Sequence, residues 1–195
     1  MARPREFDET TVLDAAMNCF WTRGFEQTSV RDLAEQMGIT GASLYNAFGD
    51  KRSLYRQAFV RYLEQTVRDR VARLETLPPA LAIRTFFDEI IERSVDDEQR
   101  RGCMLVNAAL ELAPYDPEFR QLVSEELMFI EAFFRRCAAS GQQEGSIDGA
   151  RTPDDVGKLL LSVLLGIRVL ARTDPRRELL EGAANAALAL LGANR

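Results

Sequence analysis

Residues 29–48 read SVRDLAEQMGITGASLYNAF, and this stretch decides the architecture. Val30, Leu33, Ala34 and Met37 recur at helical spacing and give a short helix one apolar face. Ser29 stands at its N-cap, with Asp32 three residues on as the reciprocal partner of a capping box. Gly38 supplies the left-handed position that ends such a helix. Thr40 then caps a second short helix, roughly Gly41 to Phe48. In it Leu44 and Phe48, at i and i+4, point to one side while Tyr45 and Asn46 face the other. Two short helices about a glycine turn form a helix-turn-helix, whose second helix enters the DNA major groove.

The side chains suit that role. Thr40, Gly41, Ala42 and Ser43 are small or hydroxylated, so backbone can approach DNA closely and hydroxyls can donate to phosphates or bases. The Tyr45 phenol and the Asn46 amide suit phosphate or adenine contacts. Lys51 falls in the first turn of the next helix, where free amides and a cation can hold a phosphate. Packing is the competing explanation: Gly41-Ala42-Ser43 also suits a close helix contact, and Tyr45 a core position with its hydroxyl at the rim.

Outward from this stretch the periodicity stays helical, which predicts an all-α chain of nine helices. A first helix runs from about Asp8 to Arg23, with Val12, Ala16, Cys19 and Phe20 on one face. A long fourth helix starts at the Asp50 cap and runs to about Leu74, before Pro78-Pro79. The remaining five span about 80–95, 103–112, 117–140, 153–172 and 175–191. The organisation expected is a two-domain regulator: a three-helix head over residues 1–55 and a helical body over 56–195.

Composition removes other classes. The 195 residues contain no histidine, which excludes Ser-His-Asp and Cys-His nucleophiles and His-ligated zinc. Carboxylates such as Glu111 and Glu125 pair with no nucleophile, metal set or phosphate loop, so no catalytic residue, metal site or cofactor is expected and the chain reads as a non-enzyme. Cys19, Cys103 and Cys137 are far apart and form no CxxC, which argues against a disulfide framework. The first residues lack the apolar run of a signal peptide, and the longest apolar stretch, Leu159 to Ile167, is too short to span a bilayer. A reduced, cytoplasmic chain with no membrane partner is expected.

The net charge is −5, but it is unevenly distributed. Residues 1–70 hold 10 basic and 10 acidic residues, so the excess acid lies in the body. A neutral head can still present a basic face through Arg3, Arg5, Arg31, Lys51, Arg52 and Arg56.

A longer run carries a specific likeness: Gly24-Phe25, Thr28-Ser29-Val30-Arg31-Asp32-Leu33-Ala34, Met37-Gly38-Ile39-Thr40, Leu44-Tyr45, Phe48, Lys51 and Leu54. In these residues the chain resembles the N-terminal domain of the tetracycline-repressor (TetR) family, strongly from Gly24 to Leu54. The resemblance implies a homodimeric transcription regulator, usually a repressor, released from double-stranded operator DNA by a small-molecule effector. It implies DNA contacts at Thr40, Ser43, Tyr45 and Lys51, and core anchors at Leu44 and Phe48. Thr28, Ser29 and Arg31, within the same run, complete with Gly41, Ala42 and Asn46 the candidate DNA-binding set. Two positions depart from the family pattern: Ala47 stands where histidine is frequent, and Gly41 where a polar or basic residue is frequent. With the acidic charge they leave a second reading open, a helical ligand-binding or adaptor protein with weak or lost DNA binding.

The body holds further candidates. Gly102-Cys103-Met104-Leu105-Val106-Asn107-Ala108 and Gly166-Ile167-Arg168-Val169-Leu170-Ala171 resemble a subgroup of the same family, which implies a helical effector-binding body. Candidate ligand contacts are Phe59, Tyr62, Phe86, Phe87, Ile90, Met104, Asn107, Phe129, Phe133 and Arg168, mostly aromatic with few polar groups. Cys103 opens a helix, where amide dipoles favour thiolate, and is a candidate redox or electrophile sensor. The helix after Pro153 is apolar nearly all round and the last one is alanine-rich. Together they suggest a four-helix dimer interface through Leu160, Leu164, Ile167, Ala184, Ala187, Leu188 and Leu191.

Overall fold

The computed structural model describes residues 8–192, and among these every regular element is helical. The order is α1 (Glu9–Arg23), α2 (Val30–Met37), α3 (Gly41–Phe48), α4 (Lys51–Leu63), a π-helical turn (Glu64–Arg68), α5 (Asp69–Leu74), α6 (Pro79–Val95), α7 (Met104–Glu111), α8 (Pro117–Glu144), α9 (Pro153–Thr173) and α10 (Arg177–Ala189). If the run from Lys51 to Leu74 is taken as the single helix expected from the sequence, the count is nine. Arg3 and Arg5, expected on the basic face, lie outside the described residues.

Two compact units form, one ending at Glu64 and the other beginning at Gln65. The division placed at 55/56 from the sequence therefore falls inside α4.

In the first unit, α1 begins where the Asp8 carboxylate accepts from the amides of Thr10 and Thr11. α2 carries the full capping box: Asp32 N–H donates to the Ser29 hydroxyl at 3.1 Å and Ser29 N–H donates back to the Asp32 carboxylate at 2.9 Å. Gly38 ends α2 at φ 65°, a conformation that glycine adopts without a Cβ penalty. The apolar faces close on Ala16, Leu33, Leu44 and Leu54, all at 0% exposure. Burying each leucine stabilises the unit by about 1.5–3 kcal/mol. An aromatic ladder joins α1 to α4: Phe20 meets Tyr55 edge-on at 4.9 Å, Tyr55 stacks with Phe59 at 6.1 Å, and Trp21 meets Tyr62 at 5.0 Å.

The capping box makes a pH prediction. The Ser29 hydroxyl, then the Ser29 amide and Arg23, hold the Asp32 carboxyl down to about 2 from its ordinary 3.8. A depressed folded value means that the contribution is complete above the unfolded pKa and is lost as pH falls through the folded one. Asp32→Asn should therefore lower the melting temperature at pH 7, and the gap from the parent chain should shrink to a small remainder near pH 2. Thermal unfolding followed by circular dichroism at the two pH values checks this.

In the second unit, α6, α8, α9 and α10 pack on one another, and Phe86 and Phe87 of α6 meet Phe133 and Phe134 of α8, each no more than 2% exposed. Phe134 lies 4.9 Å from Phe86, 5.7 Å from Phe87 and 5.4 Å from Phe133 by ring centroids. α8 extends one turn past the end expected near Ser140, because Gly141 is a packing site and not a stop. A Cβ there would lie 2.6 Å from Ile147 Cδ1, so the loop after the helix closes onto the bare glycine. The true stop is Gly145, at φ 80°.

Candidate nucleic-acid interface

The helix-turn-helix segment places its side chains by simple helix geometry. Leu44 at 0% and Phe48 at 4% exposure anchor α3 inward. Ala42, Tyr45 and Asn46 then share the opposite face and are exposed, Tyr45 at 52%. Thr40 is exposed at the N-cap, and its hydroxyl accepts from Ser43 N–H at 3.1 Å. The Thr40 and Ser43 hydroxyls also share a hydrogen bond at 2.9 Å, so both are held at the start of α3. Gly41 is half-buried, with nothing within 4 Å of where a Cβ would stand. The small side chain there is not imposed by packing.

Lys51 and Phe25 explain each other. The Lys51 ammonium sits 4.3 Å from the Phe25 ring centroid, a cation–π contact that holds a flexible side chain at the start of α4. Phe25 in turn packs edge-on against Tyr55 at 5.2 Å. The cation is thereby set beside α3 by the aromatic core of its own unit. Arg31 is exposed on α2. Ser29 is exposed, but its hydroxyl donates to Asp32 at 2.5 Å in the capping box.

Thr28 does not belong with these residues. It is fully buried, and its hydroxyl donates to the Gly24 carbonyl at 2.6 Å. The side chain expected to contact DNA ahead of α2 is an internal tie of the loop.

The expected ligand residues fall in two groups. Phe59 and Tyr62 belong to the aromatic ladder of the first unit, while the other eight lie in the second. Phe86, Phe87 and Phe133 form the packed ring cluster, and Ile90 and Met104 are buried. The two polar candidates are engaged by protein. Asn107 donates to the Arg101 carbonyl at 3.1 Å. Arg168 donates to the Ser94 hydroxyl at 2.9 Å and to the Gly102 carbonyl, tying α9 to α6 and to the loop before α7. A guanidinium at 7% exposure needs such partners to be tolerated. A groove of about 390 Å³ does open between α8 and α9, lined by Met128, Glu131, Arg135, Asp154, Lys158, Leu161 and Ser162, none of them an expected contact.

Cys103 is half-buried at the N-cap of α7. Burial raises the Cys19 thiol and pushes Cys137 up to about 11, so both stay protonated near neutrality.

The residues expected at a dimer interface need correction. Leu160, Leu164, Ile167, Ala184, Ala187, Leu188 and Leu191 are all at most 4% exposed within the single chain. Their regular spacing marks the inward stripe of α9 and α10, which the chain buries for itself. On α9 the apolar residues left open are Val169 at 48% exposure and Gly166, with Leu161 and Leu165 half-buried, and at the end of the chain Ala186 and Leu190, at 52%, are exposed.

One buried acidic residue stands outside the expected sites. Glu126 is 1% exposed on the inward face of α8, and its signal was legible as a carboxylate spaced with Val123 and Ile130 on an apolar stripe.

Comparison with known proteins accords with the head's geometry. Residues 12–58 match the family model for bacterial regulatory proteins of the tetR family, and residues 79–187 match the tetracyclin repressor-like C-terminal domain. The chain belongs to the tetR family and is a DNA-binding transcriptional regulator, not an enzyme. It is 34% identical over 154 residues to the uncharacterized HTH-type transcriptional regulator YezE of Bacillus subtilis, covering 78% of this chain and 79% of that one. It is 26% identical over 172 residues to the HTH-type transcriptional repressor ComR of Escherichia coli, covering 87% and 82%. Among solved structures, the TetR family regulator CifR, a cysteine mutant complexed with 26-bp double-strand operator DNA, superposes with a TM-score of 0.86 at 34% identity, covering 97% of this chain and 100% of that one. No described helix is long and apolar enough to cross a membrane.

Proposed function

We propose that this regulator is a cytoplasmic, homodimeric repressor that binds operator DNA through α3 and releases it when a small effector binds the body. The observation that carries the reading is the outward face of α3. Ala42, Tyr45 and Asn46 stand in solvent while Leu44 and Phe48 fix the helix from behind. Thr40, Gly41, Ser43 and Lys51 flank that face, and Arg31 adds charge on α2. A tyrosine half in water on a helix with a complete core side has no packing reason to be there. The unit ending at Glu64 is the reader of DNA, and the unit from Gln65 holds effector and partner. The repressor ComR and the operator-bound CifR relative support the DNA-reading assignment.

Dimerisation follows from the open side of α9 and α10. An apolar face with leucine, valine, glycine and alanine in solvent suits a self-complementary contact about a two-fold axis. Two heads can then read major grooves about 34–36 Å apart, or a multiple of that spacing. An effector shifts that arrangement only through unequal affinity for the bound and released states.

Sedimentation velocity tests the face. The parent chain should run as a dimer, and Val169→Glu should run as a monomer with native helix content and bind operator at least tenfold more weakly. A Val169→Glu protein that stays dimeric contradicts the assignment of this surface.

A further inference from the structure

The buried stripe of α8 runs Phe119, Val123, Glu126, Ile130, Phe133 and Cys137, with a carboxylate where the spacing calls for a leucine. Glu126 Oε2 accepts from Arg68 Nη2 at 2.9 Å, and no described group lies within hydrogen-bond distance of Oε1. A buried carboxylate oxygen left without a partner is costly, and folded proteins keep few of them. Burial raises the Glu126 pKa, and Arg68 opposes that only in part.

The cation now on Glu126 is weakly held. The Arg68 side chain is 56% exposed, contributes a single hydrogen bond, and rests its guanidinium 5.2 Å from the Phe129 ring centroid. Carboxylate and aromatic ring thus already define a place for a planar cation, occupied by a tethered group whose half-exposed side chain has solvent to enter once another cation takes over the carboxylate.

We propose that Glu126 and Phe129 form a binding site for a small organic cation of the amidinium or guanidinium type, which displaces Arg68 and bonds both carboxylate oxygens. The incoming group makes the two parallel charge-assisted bonds that Arg68 does not make, and it enters the volume that the guanidinium vacates. Charge is conserved in the exchange, since one cation replaces another over the same carboxylate. Arg68 ends the π-helical turn Glu64–Arg68, which spans the boundary of the two units. π-turns recur at functional sites, and the side chain that the ligand displaces belongs to one. The inference rests on the effector-release reading and names the effector's chemical class.

Titration calorimetry of the full chain with benzamidine, and with neutral benzamide as control, is the test. Benzamidine should bind at least tenfold more tightly than benzamide. Glu126→Gln, nearly isosteric, should lower benzamidine affinity at least tenfold with unchanged circular dichroism. Arg68→Ala, which removes the competitor, should bind benzamidine at least threefold more tightly. If Glu126→Gln does not fold, the benzamide comparison and Arg68→Ala decide alone. Absence of benzamidine binding, equal binding of benzamide, unchanged affinity in a folded Glu126→Gln, or weakened binding in Arg68→Ala overturns the proposal. A gel shift in parallel separates the two readings. Operator binding without benzamidine binding removes only the cation site, and benzamidine binding without operator binding removes only the repressor reading.

Discussion

Tyr45→Ala is expected to weaken operator binding by at least about 30-fold while leaving the melting temperature unchanged. Its side chain is 52% exposed and supports no core packing that α3 needs, since Leu44 and Phe48 supply the anchoring. Removing a base or phosphate partner from each of two copies costs about 1–3 kcal/mol per copy, or about 2–6 kcal/mol together. Lys51→Ala should act differently. Its ammonium is placed for a phosphate, so affinity should fall about equally for all sequences and the salt dependence should flatten by about two units of log–log slope for a dimer. Quantitative gel shifts at several salt concentrations distinguish the two. Unchanged affinity in a folded Tyr45→Ala removes the role assigned to α3.

Phe134→Ala should have the largest effect on stability. The ring is fully buried and touches Phe86, Phe87 and Phe133, so truncation leaves a cavity among three rings that cannot all move inward. Phe→Ala at such sites costs about 3–5 kcal/mol, a large share of the ~5–15 kcal/mol that holds a typical domain together. Phe134→Leu should recover part of the stability. Urea denaturation followed by circular dichroism reads both, and a change below about 1 kcal/mol for Phe134→Ala contradicts the picture of a close-packed ring cluster.

The head was legible in the sequence because its signals are local. Ser29 with Asp32, Gly38, Thr40 and Asp50 each announce a cap within four residues, and the structure has a cap at each of them. The side chains that misled did so for reasons of tertiary structure. Thr28 reads as a surface hydroxyl until the loop folds it against Gly24. Gly141 reads as a stop until Ile147 packs on it. The π-helical turn at Glu64–Arg68 contains no proline or glycine, and nothing in those five residues marks it.

The apolar helices of the body posed a subtler problem. When leucine and valine cover nearly all sides of a helix, as in α9, spacing does not say which stripe the chain buries for itself. The one through Leu160, Leu164 and Ile167 proved to be the inner one. The equally regular stripe through Leu161, Leu165 and Val169 is the one left open. Glu126 is the opposite case, since its misfit on an apolar stripe was plain in the sequence and acquires meaning only beside Arg68.

Hydroxyl-radical footprinting of the intact protein on the DNA flanking its own coding region tests the central claim most directly. Two protected patches are expected on one face of the duplex, centred about 34–36 Å apart or at a multiple of that spacing, both abolished by Tyr45→Ala. A single patch, or a footprint that Tyr45→Ala leaves intact, contradicts the claim.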